Sequence, residues 1–245
     1  MRLAYRHAAR YYLEVIRTPA IAGSELPRRI VVETPETVED AFRPGRPAIF
    51  VGLHFGAIEL PALFLVSRVG EAVGPMETID DPDLQEWFVR SRGSVGLRIV
   101  GLREARRELT AALRAGTYVG LVGDRDLTGG GTLTELFGAP ARLPLGPALL
   151  AIETGAPAYV AAVRRSTPGR YIGRVETIDV ASEGSRRERA TATTASIARA
   201  FERVIADAPE QWWAVFFPIW PDLAGDAQEG KAEEAETAKT RGAAA

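Results

Sequence analysis

Ala48-Ile-Phe-Val-Gly-Leu-His-Phe-Gly-Ala-Ile-Glu59 runs from an unbroken apolar segment, through a Phe-Gly pair, into a helical pattern. A short apolar run bounded by turn residues reads as a strand buried on both faces, and Ala57 to Val69 reads as the helix that follows. The alternation continues outward in both directions. Strands are predicted at Ile30 to Val32, Ala48 to Leu53, Ala72 to Met76, Leu97 to Val100, Tyr118 to Val122, Leu133 to Leu136, Ala158 to Val163, Tyr171 to Ile178 and Trp213 to Phe217. Helices are predicted at Val38 to Phe42, Asp81 to Val95, Arg103 to Ala115, Pro147 to Thr154 and from about Ser185 to Ala208. Strands interleaved with helices predict an α/β fold, a single domain over 1–221 with a central, mostly parallel sheet flanked by helices.

Composition agrees. At 245 residues, 46% hydrophobic and 25% charged, the chain has enough apolar side chain for one sizeable core. It contains no cysteine, which excludes a disulfide framework and thiolate metal sites. The opening Met-Arg-Leu-Ala-Tyr-Arg-His-Ala-Ala-Arg lacks the apolar core of a signal peptide. Residues 47–69 and 143–163 are broken by charges or prolines and do not read as membrane spans.

Residues 1–17 space apolar side chains among Arg2, Arg6, Arg10 and Arg17, the pattern of an amphipathic helix with a basic face, which more often caps a domain but also suits an anionic surface. From Asp222 onward the chain is rich in Ala, Glu and Gly, with no large apolar residue beyond Leu223, and 222–245 is expected to be a disordered acidic tail. Both lysines, Lys231 and Lys239, lie in that tail, so every cation of the body except the amino terminus and histidine is an arginine. A genome biased toward arginine codons accounts for this first; the functional alternative is that arginine's planar fork suits phosphate groups.

Only two histidines are present, His7 and His54, which narrows the search for a general base acting near neutrality. His54 closes a strand, and the carboxyl ends of strands are where open α/β sheets hold ligands. Glu59 falls in the first turn of the next helix, within reach of the imidazole as an orienting carboxylate, with backbone N–H groups of Phe55 to Ala57 as candidate oxyanion donors. A bare His-x-x-x-x-Glu reads first as a satisfied core histidine beside a carboxylate that complements the helix dipole. No Gly-x-Ser-x-Gly elbow is present. Asp124-Arg-Asp126, after a strand, has the form in which two carboxylates hold a divalent ion for a metal-dependent glycosyltransferase. A non-catalytic lipid-binding module is the third possibility.

Several blocks, taken in order, resemble one family. Gly52-Leu-His-Phe-Gly-Ala-Ile-Glu-Leu60, Arg90-Ser-Arg-Gly93, Gly123-Asp-Arg-Asp-Leu127, Glu135-Leu-Phe-Gly-Ala-Pro-Ala-Arg-Leu-Pro-Leu-Gly-Pro-Ala-Leu149 and Pro209-Glu-Gln-Trp-Trp213 with Trp220 are similar to motifs of the bacterial lipid A (lauroyl/myristoyl) acyltransferases. That family belongs to the lysophospholipid-acyltransferase-like superfamily, and the blocks resemble its phosphatidylinositol mannoside acyltransferase branch most. The apolar Phe216-Phe-Pro-Ile-Trp220 leans toward that branch, whereas Glu rather than Asp at position 59 leans toward the lipid A enzymes. The resemblance implies a glycerolipid-acyltransferase-like fold and O-acyl transfer, with His54 as base and Glu59 or Glu135 as its carboxylate partner. It further implies that Arg92 holds phosphate and that Glu77 and Arg90 lie in the substrate site beside Asp124 and Asp126. The implied co-substrate is acyl-CoA or acyl carrier protein, with no separate cofactor and no metal. The acceptor is a glycolipid or phospholipid, the partner surface an anionic membrane and not nucleic acid, and the location peripheral, on the cytoplasmic face of the plasma membrane.

Overall fold

The computed structural model describes residues 2–17, 20–21, 25–213 and 219–220. The proposed tail, and all but Trp213 of the strand expected at Trp213 to Phe217, lie outside the described residues. Among the described residues nine strands form: β1 (Ile30–Val32), β2 (Ile49–Gly52), β3 (Ala72–Met76), β4 (Leu97–Gly101), β5 (Tyr118–Val122), β6 (Thr132–Leu136), β7 (Ala139–Leu143), β8 (Ala158–Arg165) and β9 (Tyr171–Thr177). Seven make one sheet in the order β1-β9-β8-β2-β5-β3-β4. Every pairing in it is parallel except β8 with β9. This is the expected α/β architecture.

Helices α1 (Arg2–Arg17), α2 (Leu26–Arg29), α3 (Pro35–Ala41), α4 (Glu59–Val69), α5 (Pro82–Gly93), α6 (Ala105–Arg114), α7 (Gly146–Thr154) and α8 (Arg186–Ala206) flank the sheet. Their starts follow from local chemistry. Asp81 accepts the Leu84 N–H at 3.0 Å ahead of Pro82, and Ser185 with Glu188 closes a capping box on α8.

Alternation along the central strands divides the core in two. Ile49 and Val51 of β2 and Leu53 just beyond it, with Val160 and Ala162 of β8, join a cluster with Leu109, Leu150 and Phe201 of α6, α7 and α8. Ala48, Phe50, Tyr159 and Ala161 face the opposite way, onto Ala41, Leu65 and Val66. Two-sided burial explains why β2 reads as an unbroken apolar run rather than an alternating one.

The segment Glu135-Leu-Phe-Gly138 is a departure from a simple strand. It is the end of β6 and the turn of a β6–β7 hairpin outside the main sheet. Phe137 (φ 52) and Gly138 (φ 76) both take the left-handed conformation that two-residue hairpin turns require. Phe137 is the only non-glycine residue at positive φ among the described residues.

Candidate active site

In the β2–β5 register, Gly52 lies opposite Val122. Two residues further along each strand stand His54 and Asp124, at the shared carboxyl edge of the sheet. The His54 Nδ1 lies 2.8 Å from Asp124 Oδ1. Asp124 Oδ2 accepts the His54 backbone N–H at 2.9 Å and the Trp212 indole N–H at 3.1 Å. With its side chain only 1% exposed, the carboxylate is removed from water, and these donors replace the hydration it has lost. The His54 side chain keeps 24% of its exposure, so the pair joins a buried anchor to an accessible ring.

Among the described residues the carboxylate that engages His54 is Asp124, which corrects the expectation of Glu59 or Glu135. Glu59 turns instead to Arg92, accepting from Nη2 at 2.7 Å and Nε at 3.3 Å. Glu135 sits exposed on β6, where strand alternation turns it away from the core side that Leu136 occupies.

The expected oxyanion donors are also reassigned. The N–H of Phe55 donates to Leu53 O at 2.7 Å, that of Gly56 to Gln211 O at 3.0 Å, and that of Ala57 to Val163 O at 2.8 Å. All three hold the turn together, so none is presented to a substrate.

Nor do Asp124 and Asp126 converge on one ion. Asp126 closes its own glycine-rich loop, accepting from Gly131 N at 2.8 Å and from Thr128 N and Oγ1 at 3.3 Å each. Both carboxylates are thus occupied by internal donors. Among the described residues no group of three or more His, Cys, Asp or Glu side chains is placed to hold a metal.

Arg92 is a partly buried cation paired with Glu59. Burial alone would lower its pKa, but the charge and bonds of Glu59 outweigh that and hold it above the ordinary arginine value. It also contacts the Met76 sulfur and lies 4.9 Å over the Phe88 ring. A phosphate reaching this guanidinium would compete with Glu59. Glu77 pairs with Arg125 at 3.2 Å on the surface beside Asp124, and Arg90 pairs with Glu86 at 3.5 Å on the exposed side of α5.

Two contributors were not anticipated in their roles. The closing block Gln211-Trp-Trp213 runs back along the site: Phe55 bridges Trp212, and the Trp213 N–H donates to His54 O at 2.9 Å. Trp213 sets its ring 5.9 Å from that of His54, and Tyr11 of α1 meets Trp213 edge-on at 4.4 Å. Burial and the neighbouring Glu59 push the Tyr11 phenol up to about 12, so it stays an O–H group. The opening helix is thus part of the wall around the histidine. The tryptophans were visible in sequence as a motif; what they touch was not.

The family model for bacterial lipid A biosynthesis acyltransferases matches residues 1–218. The chain belongs to this family. The matched span of the acyltransferase family takes in His54, Asp124 and Trp212 alike. A phosphatidylinositol mannoside acyltransferase of Mycobacterium tuberculosis is 33% identical over 153 residues, covering 60% of this chain and 48% of that protein. One from Mycolicibacterium smegmatis is 29% identical over 216 residues, covering 86% of this chain and 69% of that protein. The match thus spans about half the length of the first relative and about two thirds of the second. Among solved structures, the 1-acyl-sn-glycerophosphate acyltransferase of Thermotoga maritima aligns over 84% of both chains at 18% identity, with a TM-score of 0.45.

Proposed function

We propose that this family member moves a fatty acyl group from a thioester donor, acyl-CoA or acyl carrier protein, to a hydroxyl of a glycolipid or phospholipid of the phosphatidylinositol mannoside or lipid A-like kind. The observation that carries the reading is the 2.8 Å contact between His54 Nδ1 and the buried Asp124. With Nδ1–H donated to the carboxylate, Nε2 holds the lone pair. A sugar or glycerol hydroxyl is far too weak an acid to attack as an alkoxide near pH 7, so its proton must leave as the new C–O bond forms. Nε2 takes that proton, Asp124 stabilises the imidazolium, and the proton then passes to the departing thiolate. Proton acceptance of this kind is worth about 10²- to 10⁴-fold in rate. The test is release of free CoA from palmitoyl-CoA with a panel of lipid acceptors. His54→Ala is expected to abolish acceptor-dependent release while folding normally; full activity in that variant rejects the base, and no release by wild type with any acceptor favours a lipid-binding module.

The same reading places the protein peripherally on a membrane, at the cytoplasmic face where its donors are found. Among the described residues, no helix is long and apolar enough to cross a bilayer. Helix α1 buries Ala4, Ala8 and Val15 against the body while Tyr12, Leu13 and Ile16 remain more than 60% exposed among exposed arginines. Apolar side chains ringed by cations suit the boundary of an anionic bilayer. Leu13→Glu/Ile16→Glu is expected to reduce cosedimentation with phosphatidylglycerol-containing vesicles at least about tenfold, since each buried side chain is worth about 1.5–3 kcal/mol. Unchanged binding would remove α1 as the attachment.

A further inference from the structure

A cavity of about 290 Å³ lies between α1, residues 57–60 at the start of α4, and the turn joining β8 to β9. That volume is at the lower edge of the roughly 300–1,000 Å³ in which small ligands are held. Among the described residues its wall includes Arg10, Arg17, Arg29, Arg165 and Arg170 against two carboxylates, Glu14 and Glu59.

Most of these charges are already matched. Glu59 serves Arg92, and Arg29 pairs with Glu25 at 2.6 Å. Glu14 grips Arg165 through both oxygens, at 2.6 and 2.8 Å. Gln211 holds the Arg165 backbone at 2.8 and 2.9 Å, which makes that pair a strut between α1 and the sheet. Three cations are left over. Among the described residues no carboxylate pairs with Arg10, Arg17 or Arg170. Arg170 donates to the Arg28 carbonyl at 2.5 Å, which leaves its charge uncancelled.

A lone arginine at the end of a helix is ordinary, since the helix dipole favours it there. Convergence is what distinguishes this site. Arg10 and Arg17 come from α1 and Arg170 from a turn far away in sequence, and gathering like charges around one hollow costs energy unless an anion offsets it. Guanidinium forks match the oxygens of phosphate.

We infer that this cavity binds a phosphoryl group of a substrate through Arg10, Arg17 and Arg170. The inference rests on the acyl-transfer reading only for which substrate brings the phosphate. Residues 57–60 continue directly from the His54 turn, while Tyr11 and Trp213 stand between the cavity and the imidazole. The phosphate is therefore held apart from the reacting centre, as suits a substrate whose phosphate and reacting group are separated by a spacer.

Two measurements on the full chain test this, comparing wild type with Arg10→Gln/Arg17→Gln and with Arg170→Gln. The first is equilibrium binding of inositol 1-phosphate against inositol, followed by NMR titration, which needs no turnover. The second is KM for short-chain, water-soluble substrates with and without phosphate. These are an acceptor carrying a phosphodiester against its phosphate-free analogue, and decanoyl-CoA against decanoyl-pantetheine. Loss of charge-assisted bonds is expected to weaken inositol 1-phosphate binding about ten- to a hundredfold. It should raise the KM ratio of phosphorylated to phosphate-free substrate by the same factor. A change in the acceptor ratio assigns the phosphate to the lipid headgroup, and a change in the donor ratio assigns it to the nucleotide; either supports the site. Equal effects on both members of each pair, or wild-type binding of inositol 1-phosphate no tighter than of inositol, overturns it. If wild type binds the phosphate but transfers acyl groups to nothing, the acyl-transfer reading falls and the cavity assignment stands.

Discussion

Asp124→Asn is expected to lower the kcat of acyl transfer about 10³- to 10⁴-fold, with KM and fold nearly unchanged, on the scale of triad aspartates replaced by asparagine. The geometry gives the reason. Asp124 Oδ2 accepts two fixed donors, the His54 backbone N–H and the Trp212 indole N–H, while Oδ1 meets His54 Nδ1. An asparagine here must turn its oxygen toward the two fixed donors, because an NH₂ in that place would face N–H groups. Its NH₂ then points at Nδ1 and donates to it. The imidazole is forced into the tautomer with hydrogen on Nε2, and the nitrogen that should take the acceptor's proton already carries one. The fold survives because both fixed donors keep an acceptor. Acceptor-dependent CoA release gives the rate, and nitrogen chemical shifts of His54 report the tautomer. Glu135→Gln, on the exposed hairpin, is expected to stay within about twofold of wild type, since surface substitutions usually change little. Activity of Asp124→Asn within tenfold of wild type would remove the dyad as the source of the base's strength.

The sheet was legible because its strands are short and apolar and separated by helices with readable caps. The predicted ranges for β1, β3 and β5 coincide with those formed. Strand order was another matter. Period and composition say that β2 and β5 exist, but β5 lies beside β2 only because β3 and β4 are laid down beyond it, and nothing local records that placement. His54 was found from its scarcity and its position at a strand end. Its partner was missed because a carboxylate 70 residues away becomes a neighbour only through the β2–β5 register. Glu59 looked better by proximity in sequence, yet the turn carries it to Arg92. The β6–β7 hairpin was half seen: β7 opens at Ala139-Pro140, and a proline discourages a strand reading although an antiparallel edge tolerates it.

Gly56→Ala is expected to destabilise the protein by more than about 4 kcal/mol, a loss reserved for substitutions that break a specific constraint. A Cβ at this position would stand 2.2 Å from the Val163 carbonyl oxygen and 3.0 Å from the Arg164 Cα. Those are backbone atoms of β8 in the middle of the sheet and have no rotamer with which to yield. The residue also sits at φ +53, where any side chain adds about 1–2 kcal/mol of strain. Relief requires moving the turn away from β8, which breaks the Ala57 N–H to Val163 O bond and the Gly56 N–H to Gln211 O bond together. Domains of this size lose roughly 2–4 °C in Tm per kcal/mol, so a fall of about 8 °C or more is expected by circular dichroism, or failure to accumulate in soluble form. Two controls separate the causes. Gly45→Ala, at φ +74 with nothing within 4 Å of its Cβ, isolates the backbone strain. Gly123→Ala meets only side chains, Val51 Cγ1 at 2.7 Å and Pro147 Cγ at 3.3 Å, and is expected to cost about 1–3 kcal/mol as overpacking. If Gly56→Ala is no worse than Gly45→Ala, the close approach to β8 is not what holds the turn. The aim of His54 at Asp124 must then come from the Trp212–Trp213 segment alone.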